Sequence, residues 1–234
     1  MTIDRFIEEI KKINIEITDE QLKQLERYYE LLIEWNEKVN LTAITEKKQV
    51  YLKHFYDSLT LNKIIDLKEN YSLCDFGTGA GFPGLVLKIV FPNLKITLVD
   101  SLNKRINFLN LVIKELNLTD INTYHARIEE YAKGNIEKFD IVTARAVAPL
   151  NILLEYAIPL VKVNGLFIPM KGDIKEELDN AKNAINKLDV EIIEKKEFLL
   201  PIEESKRTLI SFKKIKPTKK KFPRKYSEIK KYPL

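Results

Sequence analysis

The segment CDFGTGAGFPG, residues 74–84, places glycines at the spacing of a nucleotide-binding loop. Its last glycines fit the G-x-G-x-x-G pattern of dinucleotide sites. The stretch from Asp75 to Gly81 fits the D-x-G-x-G-x-G pattern of many S-adenosylmethionine sites. Asp100 ends the next apolar run and is positioned to hydrogen-bond the ribose hydroxyls of either ligand. The loop and Asp100 together predict a bound nucleoside without deciding which one.

The charge of Asp75 bears on the choice between the two cofactors. A carboxylate at the end of the strand repels a nearby pyrophosphate, whereas it suits the ammonium and sulfonium groups of S-adenosylmethionine. S-adenosylmethionine also carries no phosphate, so the N-terminus of the following helix need not hold an anion. These residues favour S-adenosylmethionine over NAD, and they leave a purely structural glycine turn as a third interpretation.

The pattern of apolar residues that predicts the secondary structure around this loop differs between residues 1–70 and residues 71–213. Residues 1–70 contain no glycine and carry apolar residues at helical spacing. They predict a small N-terminal helical module, with a capped helix beginning after Thr18 and a further helix over Lys48–Ile65. Residues 71–213 alternate short apolar runs with amphipathic ones, which predicts an α/β domain with a mostly parallel seven-stranded sheet. The last two runs lack an intervening helix, so we expect an antiparallel strand pair at one edge, as is usual in methyltransferases.

Basic residues are concentrated at the C-terminus. Residues 213–234 contain ten of the 39 Lys and Arg residues but one of the 34 acidic residues, in a chain with a formal charge of +5. We interpret residues 214–234 as a basic tail that contacts nucleic-acid phosphate, with a solvated Lys-rich end as the alternative. The candidate RNA-binding residues in this tail are Lys219, Lys220, Lys221 and Arg224.

Composition argues against several other classes of protein. The one cysteine, Cys74, forbids an internal disulfide, and with only His54 and His125 beside it we expect no metal site. No apolar run reaches the roughly 18–20 residues of a membrane helix, and the charged N-terminus does not resemble a secretory signal. We therefore expect a cytoplasmic protein without membrane contact, and a monomer with no obligate protein partner.

Several motifs together resemble one family. The segments LIEWNEKVNLTAIT, KHFYDSL, VDSLNKRINFL and DIVTARAVAPL, with the glycine loop, are similar to the RsmG (GidB) family of bacterial 16S rRNA guanine-N7 methyltransferases. The resemblance runs over nearly the whole chain. It implies a Rossmann-like, class I S-adenosylmethionine-dependent methyltransferase that acts on 16S rRNA or the small ribosomal subunit. The implied target is N7 of a loop guanine, guanine 527 in the rRNA numbering.

The same resemblance implies a set of cofactor-binding residues. Gly77 and Phe82 are expected to line the S-adenosylmethionine pocket, and Asp100 to take the ribose. Ile128 and Glu129 fall where the family contacts the adenine end, although the family usually has alanine in place of Ile128. The full set is Asp75, Gly77, Gly79, Gly81, Phe82, Asp100, Ile128, Glu129 and Arg145.

Two cations follow successive predicted strands. Arg145 and Lys171 are therefore expected at the carboxyl edge of the sheet, where ligands bind in open α/β folds. We interpret both as candidates for positioning the substrate, and Lys171 also as an RNA contact. A helix-terminus salt bridge for Arg145 and a solvated Lys171 are the alternatives.

Four further residues near the loop carry charge or can titrate. Lys104 and Arg105 lie in the first turn of a predicted helix, where cations are mildly unfavourable, so we interpret them as RNA contacts. His54 and Asp57 are spaced to meet on a helix, which predicts a local His–Asp hydrogen bond rather than a catalytic pair. No residue is identified as a catalytic acid or base.

The absent motifs bear on the chemistry. Cys74 is expected to be buried, which argues against a cysteine nucleophile, and no Asn/Asp-Pro-Pro-aromatic motif for exocyclic amines is present. Guanine N7 has a nucleophilic lone pair and no proton to lose. Alignment of N7 with the methyl–sulfur bond is then sufficient, without a covalent intermediate. The alternative functions are a NAD-dependent oxidoreductase on the same loop and a non-catalytic RNA-binding protein.

Overall fold

A seven-stranded sheet forms the centre of the protein, with the strand order β3-β2-β1-β4-β5-β7-β6. The computed structural model describes residues 1–234. Strands β1 to β5 pair in parallel, and β7 lies antiparallel between β5 and β6. The predicted mostly parallel sheet with a C-terminal antiparallel pair is thus confirmed. The strands are β1 (Ser72–Phe76), β2 (Lys95–Asp100), β3 (Ile121–His125), β4 (Phe139–Arg145), β5 (Val161–Lys171), β6 (Val190–Leu199) and β7 (Lys206–Lys214).

Helices precede the sheet, connect its strands and end the chain. None of them is both long and apolar enough to cross a membrane. The α-helices are α1 (Ile3–Lys11), α2 (Asp19–Val39), α3 (Lys47–Val50), α4 (Asp57–Leu59), α5 (Gly84–Val90), α6 (Asn103–Glu115), α7 (Ile128–Lys133), α8 (Leu150–Ala157), α9 (Lys175–Asn180), α10 (Lys182–Lys187) and α11 (Tyr226–Lys231).

Side chains of the strands alternate between two hydrophobic cores, because successive residues of a strand point to opposite faces of the sheet. In β1, Leu73 belongs to the core that contains the N-terminal helices, α5 and α6. Cys74 and Phe76 belong to the other core, which contains α7, α8 and the C-terminal residues. Cys74 is buried, as the sequence predicts.

The N-terminal helices are packed directly against the glycine loop. Helix α2 begins with the predicted capping box, in which Gln21 N donates to Thr18 Oγ1 (3.2 Å) and Thr18 N donates to Gln21 Oε1 (2.9 Å). From the same helix, the Tyr28 hydroxyl donates to the carbonyl of Ala80, and the Tyr28 ring lies 5.6 Å from the ring of Phe82. The helical module therefore supports the loop from one side.

The predicted helix over Lys48–Ile65 is not a continuous α-helix. Helix α3 is followed by a π-helix over Tyr51–Tyr56, by the short α4, and by a 3-10 turn over Thr60–Lys63. Side-chain hydroxyls bond main-chain oxygens here: Ser58 Oγ donates to His54 O (2.5 Å) and Thr60 Oγ1 to Asp57 O (2.6 Å). Such local bonds compete with the regular helical ladder.

Residues 214–234 fold back onto helix α8. Phe222, Ile229 and Leu234 are buried in the second core. Arg224 donates two hydrogen bonds to the fully buried Glu155, Nε to Oε1 (2.7 Å) and Nη2 to Oε2 (2.6 Å). Buried apolar residues and ion pairs, among them Arg224–Glu155 and Lys219–Asp189, therefore hold this basic segment in place.

Candidate cofactor and substrate sites

The glycine loop lies between the end of β1 and the start of α5. Gly77 has a φ of +62°, in the left-handed region that side chains rarely adopt. A Cβ added at Gly77 would lie 2.5 Å from Val147 Cγ2, so the position has no room for a side chain. Gly77 and Val147 both line the cavity described below.

Asp75 holds the loop from beneath. Its Oδ2 accepts hydrogen bonds from Thr78 Oγ1 (2.6 Å) and Gly84 N (2.8 Å), whereas its Oδ1 is buried without a partner. Burial raises the pKa of this carboxyl to about 7, against the lowering effect of both hydrogen bonds. The structure thus gives Asp75 a role in shaping the loop, and one oxygen still lacks a donor.

Asp100 joins the loop to the next strand. Its Oδ2 accepts from Gly79 N (2.9 Å) and from Arg105 Nη1 (3.3 Å), and its Oδ1 accepts from Leu102 N (2.9 Å). A carboxylate has about four acceptor positions, and these three donors leave capacity for a ribose hydroxyl. Arg105, an expected RNA contact, forms an ion pair with Asp100 and remains partly exposed.

A cavity of about 350 Å³ opens beside Gly77, within the size range of small-molecule sites. It brings together four of the nine expected cofactor residues: Gly77, Asp100, Ile128 and Glu129. Glu129 is 4% exposed, and its Oε1 has no hydrogen-bond partner. An acceptor buried in this way fits a ligand with N–H or O–H groups, such as a nucleoside. The other five expected residues do not line the cavity: Asp75, Gly79, Gly81, Phe82 and Arg145.

Four further residues line this cavity without being indicated by the sequence motifs. Val147 and Tyr156 come from the segment after β4, and Tyr226 and Lys230 come from helix α11. Motif spacing carried no signal for them, because the C-terminal segment reaches the cavity only through tertiary packing.

Arg145 lies outside the cavity, in a buried charge network. Its Nη1 donates to Asp57 Oδ2 (3.1 Å) and to Lys53 O (3.1 Å), and its guanidinium lies over the Phe82 ring at 5.3 Å. Arg207 Nε donates to the other oxygen of Asp57 (2.9 Å). One buried carboxylate is thus shared by two arginines from distant parts of the chain.

His54 stacks on Phe82 beside this network, with ring centroids 4.3 Å apart. Its Nε2 lies 2.9 Å from Thr42 Oγ1, and its Nδ1 lies 3.4 Å from Arg145 Nη2. Burial, and then the positive charge of Arg145, lower the pKa of His54 to about 3. The predicted His54–Asp57 hydrogen bond is wrong, because the ring nitrogens of His54 face Thr42 and Arg145, and Asp57 binds the two arginines.

The network lines a second opening, which we call the cationic cleft, with a volume of about 510 Å³. Four cations line it, against the two carboxylates of Asp57 and Glu177; the cations are Lys53, Arg145, Lys171 and Arg207. Lys171 is largely buried, and its Nζ contacts Ala148 O (2.8 Å) and Glu177 Oε2 (2.7 Å). Lys53 and Arg207 were not among the sequence candidates, although Lys53 is the first residue of the motif KHFYDSL.

One short loop separates the cavity from the cationic cleft. Arg145 and Ala146 line the cleft, and the next two residues, Val147 and Ala148, line the cavity. Ala146 adopts a left-handed φ of +56°, which turns the chain between the two openings. The cavity and the cleft therefore share the loop after β4 as a wall.

The remaining expected RNA contacts differ in exposure. Lys104, Lys220 and Lys221 are exposed on the surface. Lys219 pairs with Asp189 (2.6 Å), and the Arg224 side chain is 15% exposed because of its ion pair with Glu155.

Solved structures of other proteins share this fold. TYW2 of M. jannaschii in complex with AdoMet aligns with a TM-score of 0.53 at 15% identity, covering 63% of this chain and 70% of that chain. A putative sarcosine dimethylglycine methyltransferase from Galdieria sulphuraria aligns with a TM-score of 0.55 at 11% identity, covering 72% of this chain and 88% of that chain. With the glycine loop and the strand order, this likeness shows the Rossmann-like fold of class I S-adenosylmethionine-dependent methyltransferases.

Residues 21–209 match the family described as GidB, rRNA small subunit methyltransferase G, and the chain belongs to this family. The ribosomal RNA small subunit methyltransferase G of Bacillus pumilus (strain SAFR-032) is 48% identical over 237 residues, covering 100% of this chain and 99% of the relative. The protein of the same name from Geobacillus sp. (strain WCH70) is 51% identical over 228 residues, covering 96% of each chain. The resemblance seen in the sequence motifs is confirmed, and the cofactor is S-adenosylmethionine rather than NAD.

Proposed function

We propose that this protein transfers a methyl group from S-adenosylmethionine to N7 of an unpaired guanine in 16S rRNA. The observation that carries the proposal is the shared wall: the loop from Arg145 to Ala148 lines the cavity on one side and the cationic cleft on the other. A cofactor in the cavity and a nucleotide in the cleft are then neighbours. S-adenosylmethionine supplies an electrophilic methyl group when bound.

The residues of the cavity fit the nucleoside part of the cofactor. Asp100 has acceptor capacity for a ribose hydroxyl, and the buried, unpartnered Oε1 of Glu129 provides an acceptor for an N–H group. Gly77 lines the cavity beside them without a side chain. Asp75 and Gly79 support this arrangement from behind through their hydrogen bonds within the loop and to Asp100.

The cationic cleft fits an RNA segment. Its excess of positive charge attracts phosphate, and guanidinium groups bind phosphate in a bidentate geometry. Asp57 and Phe82 hold the Arg145 guanidinium in place, so little side-chain freedom is lost when it binds a ligand. We therefore assign Arg145 and Arg207 to positioning the substrate, with the exposed Lys104 contributing contacts outside the cleft.

The proposed target atom needs alignment rather than proton transfer. Guanine N7 already has a free lone pair, so no general base is needed to activate it, and the neutral His54 is not required as one. In an A-form helix N7 faces a deep and narrow groove that side chains do not enter. An unpaired guanine in a loop is therefore the expected target.

The test is transfer of labelled methyl from S-adenosylmethionine to unmethylated 16S rRNA, offered both free and in 30S particles. Digestion to nucleosides identifies the product, and we expect label in 7-methylguanosine. Label in any other nucleoside contradicts the proposed target atom. A complete absence of label, with cofactor binding intact, contradicts the proposed substrate.

A further inference from the structure

The C-terminal helix α11 reaches the cofactor cavity. Tyr226 and Lys230, one turn apart on this helix, are among the residues that line it. Tyr226 is 38% exposed, so its ring is partly open rather than committed to the core. Neither residue belongs to the glycine loop or to the segment after β3.

The position of the helix is fixed by contacts on both of its sides. Before the helix, Arg224 is held by two hydrogen bonds to the buried Glu155. Within and after it, Ile229 and Leu234 are buried in the second core. Tyr226 is therefore presented to the cavity by a segment that is already anchored, and little conformational freedom is lost when a ligand binds.

Tyr226 lies at the end of the cavity where helix α7 begins. The guanidinium of Arg127 is centred 4.6 Å from the Tyr226 ring, and Arg127 directly precedes Ile128 and Glu129. Ile128 and Glu129 are the residues assigned to the adenine end of the cofactor. The aromatic ring thus adjoins the part of the cavity that receives a purine.

We propose that the C-terminal segment is a wall of the cofactor site and that Tyr226 binds the adenine end of S-adenosylmethionine. This inference rests on the proposed position of the cofactor in the cavity. Purine rings gain affinity from contact with aromatic side chains, and the ring is the part of Tyr226 that supplies this contact. Lys230, whose Nζ lies 5.8 Å from the Tyr226 ring centroid, borders the same wall.

The test is isothermal titration of the full chain with S-adenosylmethionine, S-adenosylhomocysteine and adenosine. We expect Tyr226→Ala to raise the Kd by about tenfold, the size expected for loss of one aromatic contact to a base. The increase should be similar for all three ligands, because they share the adenosine part. Tyr226→Phe should bind as the wild type does.

The matched control is Tyr232→Ala, because Tyr232 is 61% exposed and does not line the cavity. It should leave all three affinities unchanged, and the melting temperature of each apo variant reports on folding. As a second measurement, S-adenosylmethionine should slow tryptic cleavage of the wild type after Lys225 and Lys230.

The outcomes separate this inference from the proposed function. Unchanged affinity in Tyr226→Ala, with affinity lost in Asp100→Ala, overturns the role of Tyr226 and leaves the cavity as the cofactor site. Unchanged affinity in both variants, or no binding by the wild type, overturns the position of the cofactor and the inference with it.

Discussion

Arg145 and Asp57 form an ion pair of 3.1 Å that joins the end of strand β4 to the N-terminal helical module, 88 residues earlier in the chain. The Asp57 side chain is only 5% exposed, and Arg207 binds its second oxygen at 2.9 Å. This carboxylate therefore fixes two guanidinium groups of the cationic cleft at once. It also couples the helical module to the sheet at the proposed substrate site.

Replacing Asp57 should affect both folding and methyl transfer. Asp57→Asn leaves two arginines without their shared counter-charge, and loss of one partner of a buried pair costs about 3 kcal/mol or more. We expect a lower free energy of unfolding in urea, and a higher KM for RNA with little change in affinity for S-adenosylmethionine. Asp179→Asn is the control, because Asp179 is exposed and pairs only with Lys182 on the surface. Equal effects of the two variants would contradict the role given to Asp57.

The sequence was sufficient for features that depend on local patterns. Alternation of apolar runs predicted the sheet, and the spacing of Thr18 and Gln21 predicted the capping box. Each of these signals is carried by residues that are close together in the sequence. The glycine loop was identifiable for the same reason. Such features are encoded by neighbouring residues and persist in the folded chain.

Features that depend on distant contacts could not be predicted. The spacing of three residues predicts a pair between His54 and Asp57, whereas Asp57 binds Arg145 and Arg207, 88 and 150 residues away. The high content of Lys and Arg in the C-terminal segment predicts a basic tail. Its few apolar residues, which anchor it, gave no periodic signal.

Gly77 provides a test of the loop. At a φ of +62°, alanine costs about 1–2 kcal/mol in backbone strain, and its Cβ would also meet Val147. We expect Gly77→Ala to weaken binding of S-adenosylmethionine and to lower the melting temperature. Gly134→Ala is the matched control, because its φ is not positive and a Cβ there would meet nothing closer than 4.0 Å. Titration calorimetry and thermal melts measure the two effects, and a Gly77→Ala variant with wild-type affinity refutes the prediction.

His54 should make the folded state sensitive to acid. Its pKa is lowered from an ordinary value of 6.5 to about 3, so between these pH values the unfolded chain binds a proton that the folded chain does not. The contribution of neutral His54 to stability is therefore lost as the pH falls from 6.5 towards 3. Urea unfolding of the wild type and His54→Gln at about pH 7, 6, 5 and 4 measures this loss of stability. The difference in unfolding free energy between the two proteins should shift in favour of the variant at low pH.

Asp75 should have the opposite dependence on pH. Its pKa is raised from 3.8 to about 7, so the folded chain keeps a proton that the unfolded chain releases within this window. The wild type is then expected to lose stability as the pH rises from about 4 to 7. Asp75→Asn keeps an acceptor for Thr78 and Gly84 without the titration, so its stability relative to the wild type should increase over that range. A constant difference between the two proteins across this range contradicts a buried, titrating Asp75.

The exposed lysines of the C-terminal segment should act through phosphate contacts alone. Lys220 and Lys221 are both exposed, so replacing them by alanine removes charge without disturbing the core. Each lost phosphate contact is expected to reduce the slope of log K against log salt by about 0.7–0.9. Filter binding of 16S rRNA between roughly 50 and 200 mM salt measures the change. Arg224→Ala is the contrasting variant, because its ion pair with Glu155 holds the segment in place, and it should lower the melting temperature. An unchanged slope in the Lys220→Ala, Lys221→Ala double variant would show that this surface does not contact the RNA.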